Sequence, residues 1–237
     1  MNNPYLNQTA PGTTADVAID SGLRAHMLRI YNYMASAVLL SGIVSYLIVS
    51  SPALTNLLIK SPLRWAFVLA PLAFVLVMSW RFERMSKTAL QGLYWAYAVC
   101  IGVSFATILY VYTGTSVARA FFMAAGLFAG LSLYGYTTKA DLSKIGTLLM
   151  VGMVVVFIAS IVNIFLGSSG LQWAISLLGV LIFAGLTAYD TQKIKEMYFE
   201  GHGPEMADKL SIYGALTLYM DFLGMFQMLL SLLGNRE

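Results

Sequence analysis

The chain has 237 residues, of which 59% are hydrophobic and 11% charged, and its mean hydropathy is +0.74. This is more apolar surface than one soluble core can bury, so the composition excludes an ordinary soluble protein and indicates an integral membrane protein. The net charge of +3 is spread between apolar runs and forms no basic patch, so we expect no nucleic-acid partner.

Residues 1–22 form a polar N-terminal segment that is rich in Asn, Thr, Pro and Ala and contains Asp16 and Asp20. The segment has neither a basic start nor an apolar run, so it does not resemble a signal peptide. We therefore expect a flexible polar tail over residues 1–22, followed by one membrane domain over residues 23–237.

Apolar stretches bounded by charged residues predict seven transmembrane helices with short loops between them. A span needs about 20 apolar residues, so the long uncharged stretch from Ile145 to Tyr189 must hold two spans, separated by the turn at residues 167–170. The chain is thus expected to be an all-α integral membrane protein. The predicted spans are residues 30–50, 65–81, 91–112, 118–137, 145–167, 171–193 and 211–233.

Two of these spans have features that bear on packing. Only sixteen residues separate Arg64 from Arg81, or about 24 Å of helix against about 30 Å of hydrocarbon, so one arginine must reach toward the membrane surface. Pro71 in the same span frees a backbone carbonyl, which we expect a neighbouring helix to satisfy. Gly126 and Gly130 form a Gly-xxx-Gly step, for which internal packing is favoured over a dimer face.

The basic residues are distributed asymmetrically between the two ends of the spans. With a cytoplasmic N-terminus, ten of the fourteen lysines and arginines fall on the inner side, where positive charge accumulates. An odd number of spans then places the C-terminus outside. The inner set is Arg24, Arg29, Arg81, Arg84, Lys87, Lys139, Lys144, Lys193, Lys195 and Lys209, and the outer set is Lys60, Arg64, Arg119 and Arg236.

Two carboxylates in the last two spans are the candidate functional residues. Asp190 closes an apolar run, and Asp221 is the only charge between Lys209 and Arg236. A charge on a membrane helix costs about 2.5–3.5 kcal/mol by insertion measurements, so it is rarely incidental. If the two aspartates meet, they cannot both ionise cheaply and would share a proton, forming a proton-sensitive switch or a weak, transient cation site. The alternative is a neutral aspartic acid that only joins helices.

Whether Asp190 and Asp221 meet depends on how deep each lies in the membrane. Counted from Ser211, Asp221 lies about 15 Å into the seventh span, deeper than Asp190 lies in the sixth. The aspartates therefore meet only if the helices tilt or if the seventh begins inside the inner leaflet. Arg81 is predicted on the same side as Asp190, and an ion pair would lower the membrane cost of both groups. An equally weighted alternative is that Arg81 reaches for lipid phosphate.

Three motifs occur in a fixed order: Tyr-Gly-Tyr-Thr-Thr-Lys-Ala-Asp-Leu-Ser over residues 134–143, Tyr189-Asp190, and Leu-Tyr-Met-Asp-Phe over residues 218–222. Over about residues 24–234 the chain resembles the Bax-inhibitor family, also called the transmembrane Bax-inhibitor-motif family, and its bacterial members in particular. The resemblance implies a bacterial inner (plasma) membrane protein with seven helices and the last helix central. It also implies a pH-sensitive calcium leak in which Asp190 and Asp221 form a hydrogen-bonded dyad and Arg81 is a latch to Asp190.

The leading functional hypothesis is therefore a cation leak, with calcium as the ion, and no cofactor is expected. Two carboxylates alone bind hard cations weakly, so permeation is favoured over storage. The alternative is a regulatory protein that modulates a membrane-anchored protease or another membrane partner, with residues 1–22 as the segment that binds the partner. An intramembrane aspartyl protease would need a Gly-x-Gly before its second aspartate, whereas residues 218–220 are Leu-Tyr-Met. We therefore expect no enzyme.

Overall fold

The computed structural model describes residues 12–198 and 203–235, with side chains from residue 21 onward, and its regular elements are helices. The predicted all-α fold is thus confirmed. A short helical segment, Pro52–Ile59, precedes the second of seven long helices. These are α1 (Gly12–Ser50), α2 (Arg64–Trp80), α3 (Lys87–Val111), α4 (Gly114–Thr137), α5 (Ser143–Leu166), α6 (Ser169–Glu196) and α7 (Pro204–Leu233).

Six of these helices are long and apolar enough to cross a membrane, and α2 by itself is not. With 17 residues, α2 is about 26 Å long, shorter than the hydrocarbon layer of about 30 Å. The segment Pro52–Ile59 meets it at a bend of 69°. The described residues therefore contain six spans, or seven if this bent pair forms one, so the predicted count of seven is not confirmed.

Pro71 lies inside α2, where it cannot donate a backbone hydrogen bond to the carbonyl of Phe67. That carbonyl accepts a hydrogen bond from Ser104 Oγ of α3 at 2.7 Å, and Cys100 Sγ lies 3.6 Å away. The expectation that a neighbouring helix satisfies the freed carbonyl is confirmed.

Two helices begin seven or more residues earlier than their apolar patterns predict. α1 is helical from Gly12, so residues 12–22 of the predicted tail continue the helix, while residues 1–11 lie outside the described part of the chain. Extending an existing helix adds one hydrogen bond per residue without a nucleation cost, so the polar residues before the apolar part can also be helical. α7 begins at Pro204, seven residues before the predicted start, with a proline at the position that tolerates it best.

The last helix is central, as the resemblance implied. In α7, 61% of the membrane window is buried, whereas in α5 only 11% is. α7 packs against α1, α3, α4 and α6, whereas α5 packs mainly against α6. Large side chains of α7, including Leu218, Tyr219 and Met225, are completely buried in the main hydrophobic core.

The Gly-xxx-Gly step of α4 lies on the outside of the bundle. Gly126 and Gly130 are exposed, and a Cβ added at either would meet nothing within 4 Å. The prediction of internal packing was wrong, because the buried face of α4 is instead formed by residues such as Ala124, Phe128 and Ser132.

Asp208, near the start of α7, ties three helices together at one end of the bundle. Its carboxylate accepts hydrogen bonds from Arg29 of α1 and from Lys87 Nζ of α3, the latter at 2.5 Å. These are the ion pairs of the described residues. Asp208 therefore holds the N-terminal part of α7 against α1 and α3.

Replacing Asp208 with Asn is expected to lower the free energy of unfolding by about 1 kcal/mol, because partly exposed ion pairs contribute up to that amount. Glu205→Gln is the matched control, since Glu205 is an exposed acid in the first turn of α7 and outside both described ion pairs. Thermal unfolding in detergent at low and high salt measures the difference. Equal losses in both variants, or a loss that high salt does not reduce, would contradict the role of the ion pairs.

Candidate functional site

The two lone aspartates of the last spans lie together. The carboxyl groups of Asp190 and Asp221 lie close enough to interact electrostatically. Asp221 is only 5% exposed, and its Oδ2 has no hydrogen-bond partner within the described residues. Two carboxylates cannot hydrogen-bond without a proton, and two adjacent charges are costly away from water. Their proximity therefore favours a state in which the two carboxyl groups share one proton.

The early start of α7 makes this contact possible. Asp190 lies six residues before the end of α6, whereas Asp221 lies 17 residues after the start of α7. At 1.5 Å per residue, α7 must extend about 16 Å beyond α6 for the two side chains to meet. Residues 204–210 supply much of that extension, which is neither of the two conditions that the sequence analysis named.

Both carboxyl groups line a cavity of about 580 Å³ between α2, α3, α5, α6 and α7. The cavity follows one face of α7 from Tyr213 to Gln227, a distance of about 21 Å along the helix. Most of its wall is apolar, and its polar lining residues are Tyr97, Asp190, Lys193, Tyr213, Thr217, Asp221 and Gln227. The aspartates are thus the acidic groups on a path that runs deep into the bundle.

Lys193 is a part of this site that the sequence analysis did not identify. It lies one helical turn after Asp190, close enough to interact with that carboxyl group electrostatically, and it lines the same cavity. Its Nζ lies 5.7 Å from the centre of the Tyr189 ring. The sequence analysis counted Lys193 only as an inner-side charge, although the three-residue spacing from Asp190 was a usable signal.

Arg81, the predicted latch, does not contact Asp190 in this structure. It caps the C-terminus of α2, where its backbone N–H donates to the carbonyl of Val77 at 3.0 Å, and its side chain is exposed. The ion pairs of the described residues do not include it. The nearby cation of Asp190 is instead Lys193, so the latch remains a prediction for another conformation.

The segment 134–143 packs against the end of α6 that carries Asp190. Gln192 accepts a hydrogen bond from Leu142 N at 2.9 Å and donates one to Ala140 O at 2.8 Å. Lys195 Nζ donates to Tyr136 O at 2.8 Å. The first motif is therefore hydrogen-bonded to the part of α6 that follows Tyr189-Asp190, which the sequence could not show.

Two glycines allow neighbouring helices to approach α6 closely at the same level. A Cβ added to Gly135 of α4 would collide with the backbone carbonyl of Ala188, and one added to Gly146 of α5 would collide with the Tyr189 ring. Both contacts lie within two residues of Asp190. The absence of a side chain at Gly135 and Gly146 thus fixes the position of the helix segment that presents this carboxyl group.

The family model described as "Inhibitor of apoptosis-promoting Bax1" matches residues 23–237. The chain belongs to the Bax-inhibitor family. This Bax-inhibitor chain is 42% identical over 230 residues to an uncharacterized protein of Rickettsia prowazekii (strain Madrid E), covering 97% of this chain and 98% of the relative. It is 38% identical over 230 residues to the inner membrane protein YbhL of Escherichia coli (strain K12), covering 96% and 98%.

A third relative, an uncharacterized protein of Caulobacter vibrioides, is 42% identical over 241 residues, covering 97% of this Bax-inhibitor chain and 96% of the relative. The family that the three motifs indicated is therefore confirmed over nearly the whole chain. The same motifs build the site, because residues 134–143, Asp190 and Asp221 lie at or beside the contact between α6 and α7.

Proposed function

We propose that this Bax-inhibitor chain is a pH-sensitive cation leak, with calcium as the ion, gated by Asp190 and Asp221. The observation that supports it best is the proximity of the two carboxyl groups in the wall of a deep cavity. Ionisable residues inside a membrane bundle mark ion or proton pathways as a general rule. The contact joins α6 to α7, so its proton is in a position to control how tightly these helices pack.

The shared proton provides the gating step. In the closed state, one proton lies between Asp190 and Asp221 and holds α6 against the central helix. Removing it leaves two adjacent negative charges, which repel each other and attract a cation. Adding a second proton removes the charge that strengthens the hydrogen bond. Either change is expected to loosen the helix contact and open the cavity.

Transient cation contact fits the chemistry of the pair better than storage. Calcium takes six to eight oxygen ligands, and two carboxyl groups supply at most four, so an ion passing Asp190 and Asp221 would be held weakly. We assign the pair no catalytic role and no cofactor. We also place the N-terminus in the cytoplasm, on the charge asymmetry, and the protein in a bacterial inner membrane, as for the Escherichia coli relative named for that location.

Ion flux in proteoliposomes that contain only this protein tests the proposal. We expect calcium entry, read with a trapped indicator, that changes with pH between about 5 and 8, because we expect the shared proton to be gained or lost in that range. Protein-free liposomes give the background. Absence of flux above that background at every pH would contradict an intrinsic leak.

The second candidate function is regulation of a membrane-anchored protease or another membrane protein. The observation that favours it is that α1 begins at Gly12, before its apolar part at Ser21–Ser50. This extension is a helical segment to which a partner could bind. Deleting residues 1–22 should abolish the effect on a partner and leave proteoliposome flux unchanged. The leak proposal predicts no role for these residues in flux.

Replacing Lys193 with Gln is expected to raise calcium flux up to about ten-fold, equivalent to removing about 1.4 kcal/mol of repulsion between a lysine and a passing cation. Lys139→Gln is the control, since Lys139 is exposed and does not line the cavity. Flux is compared at equal amounts of reconstituted protein. An unchanged flux in Lys193→Gln would show that Lys193 does not face the ion path.

Replacing Arg81 with Ala tests the latch separately. If Arg81 pairs with Asp190 in the membrane, its removal should raise flux while leaving folding intact, because α6 loses a restraint at its end. If Arg81 only reaches for lipid phosphate, flux should not change. Normal expression with an unaltered leak would therefore count against the latch.

A further inference from the structure

A groove runs between α1 and α4 and shares no lining residue with the aspartate cavity. Both helices pack on α7, and two cavities of about 660 and 430 Å³ lie in the gap between them. Tyr31 and Phe128 line both cavities, so the two form one continuous groove, and Phe222 of α7 also lines it. A Cβ at Gly42 would meet nothing within 4 Å, so the groove has room for an occupant.

Part of the groove has the length of one lipid leaflet. The whole groove follows α1 from Arg24 to Leu47, and the 15 residues of it from Arg24 to Leu39 cover about 22 Å. A bilayer with its headgroups is about 40–45 Å thick, so this length equals about half of it. Because Ser21–Ser50 is the candidate span of α1, Arg24 lies near one membrane surface and Leu39 near the middle.

Positive charge is concentrated at the surface end of the groove. Arg24 is exposed and lies outside the ion pairs of the described residues. Lys195 donates a hydrogen bond to the carbonyl of Tyr136 and lies 5.2 Å from the ring of that tyrosine, which lines the groove together with Arg24. The described residues that line the groove include no Asp or Glu. This end therefore favours an anion.

Hydroxyl groups lie below the charged end, and apolar side chains lie deeper. Tyr31, seven residues or about 10 Å along α1 from Arg24, is hydrogen-bonded through its hydroxyl to Ser132 at 2.7 Å. Beyond this level the groove is lined by residues such as Val38, Phe121 and Phe222. The order of cation, hydroxyl and apolar surface matches the order of phosphate, ester and acyl chain in a phospholipid.

We propose that this groove binds one anionic phospholipid, with its phosphate at Arg24 and an acyl chain along the apolar part. A guanidinium offers paired donors that fit a phosphate group. The described residues that line the groove bring a cation and no carboxylate, which favours a headgroup with net negative charge over a zwitterionic one. The binding does not depend on the leak, so failure of one proposal leaves the other standing.

Native mass spectrometry of the full-length, delipidated protein tests this site. We expect one bound phosphatidylglycerol, held at least ten-fold more tightly than phosphatidylcholine with the same acyl chains. Arg24→Gln should weaken phosphatidylglycerol binding about ten-fold, since hydrogen bonds to charged groups are strong. Arg84→Gln, an exposed arginine outside the groove, is the control.

Filling the groove gives a second, independent variant. Gly42→Phe should weaken binding of both lipids, whereas Gly126→Phe, at an exposed glycine of α4 that does not line the groove, should not. Unfolding temperatures of the variants establish that each is folded.

Several outcomes would overturn the proposal. These are equal binding of the two lipids, an equal loss of binding in Arg84→Gln and Arg24→Gln, or equally tight binding of glycerol phosphate, which would show an anion site without a lipid groove. A wild-type dimer that Gly42→Phe dissociates in the absence of lipid would assign the groove to a second copy of this chain.

Discussion

Replacing Asp221 with Asn is expected to flatten the pH dependence of calcium flux, and Asp190→Asn is expected to do the same. An amide does not titrate in this range, so each variant keeps one carboxyl group with a neutral partner and cannot alternate between a shared proton and two charges. A change of about 1.4 kcal/mol in the free energy of the contact between α6 and α7 changes the equilibrium constant between closed and open states ten-fold. We therefore expect about a ten-fold change in wild-type flux between pH 5 and pH 8, and little change in the variants.

Asp208→Asn is the control for this experiment, because it removes a carboxylate of α7 that does not line the cavity. Its flux should keep the wild-type pH profile even if the protein is less stable. If Asp190→Asn and Asp221→Asn also keep the wild-type profile, the two aspartates only join helices. The proposed gating would then fail, whatever the size of the flux.

Replacing Gly135 with Ala is expected to lower the free energy of unfolding by about 1–3 kcal/mol, the usual cost of overpacking. The added methyl group would meet the backbone carbonyl of Ala188. A backbone group cannot move to another rotamer, so α4 and α6 must separate. Because Ala188 lies two residues before Asp190, the separation should also displace the carboxyl contact and raise calcium flux.

Gly130→Ala is the matched control on the same helix, because a Cβ at Gly130 meets nothing within 4 Å. Alanine favours a helix over glycine by up to about 1 kcal/mol, so this variant should be as stable as the wild type or more stable. Thermal unfolding in detergent compares the two. Equal shifts in both variants would show that helix propensity, and not the contact with Ala188, governs position 135.

The sequence was sufficient to identify both aspartates as candidates, because a lone charge within an apolar run can be read from the sequence alone. Their contact could not be predicted, because it depends on how far α7 extends beyond α6. Residues 204–210 include Pro204, Glu205, Asp208 and Lys209, and this polar composition concealed the start of the helix. Tertiary contacts such as the Asp208 ion pairs stabilise that part of α7 instead of an apolar face.

The partners of Asp190 were the least predictable part of the site. The sequence placed Arg81 on the correct side of the bundle but could not show that its side chain points to solvent at the end of α2. It likewise could not show that Gln192 binds the segment 134–143, since that contact joins residues fifty positions apart. The pattern of Gly126 and Gly130 gave their spacing but not the face of α4 that turns inward.

The burial of α7 has a consequence for biogenesis. This helix has the lowest mean hydropathy of the six candidate spans, 1.5, whereas α5 has the highest, 2.7. α5 is therefore suited to stand alone in lipid, but α7, with Asp221 inside it, is stabilised by the helices around it. The ribosome completes α7 only after those helices. The earlier helices therefore remain in the membrane with their inner faces uncovered until α7 is made. We expect their final packing to occur after translation is complete.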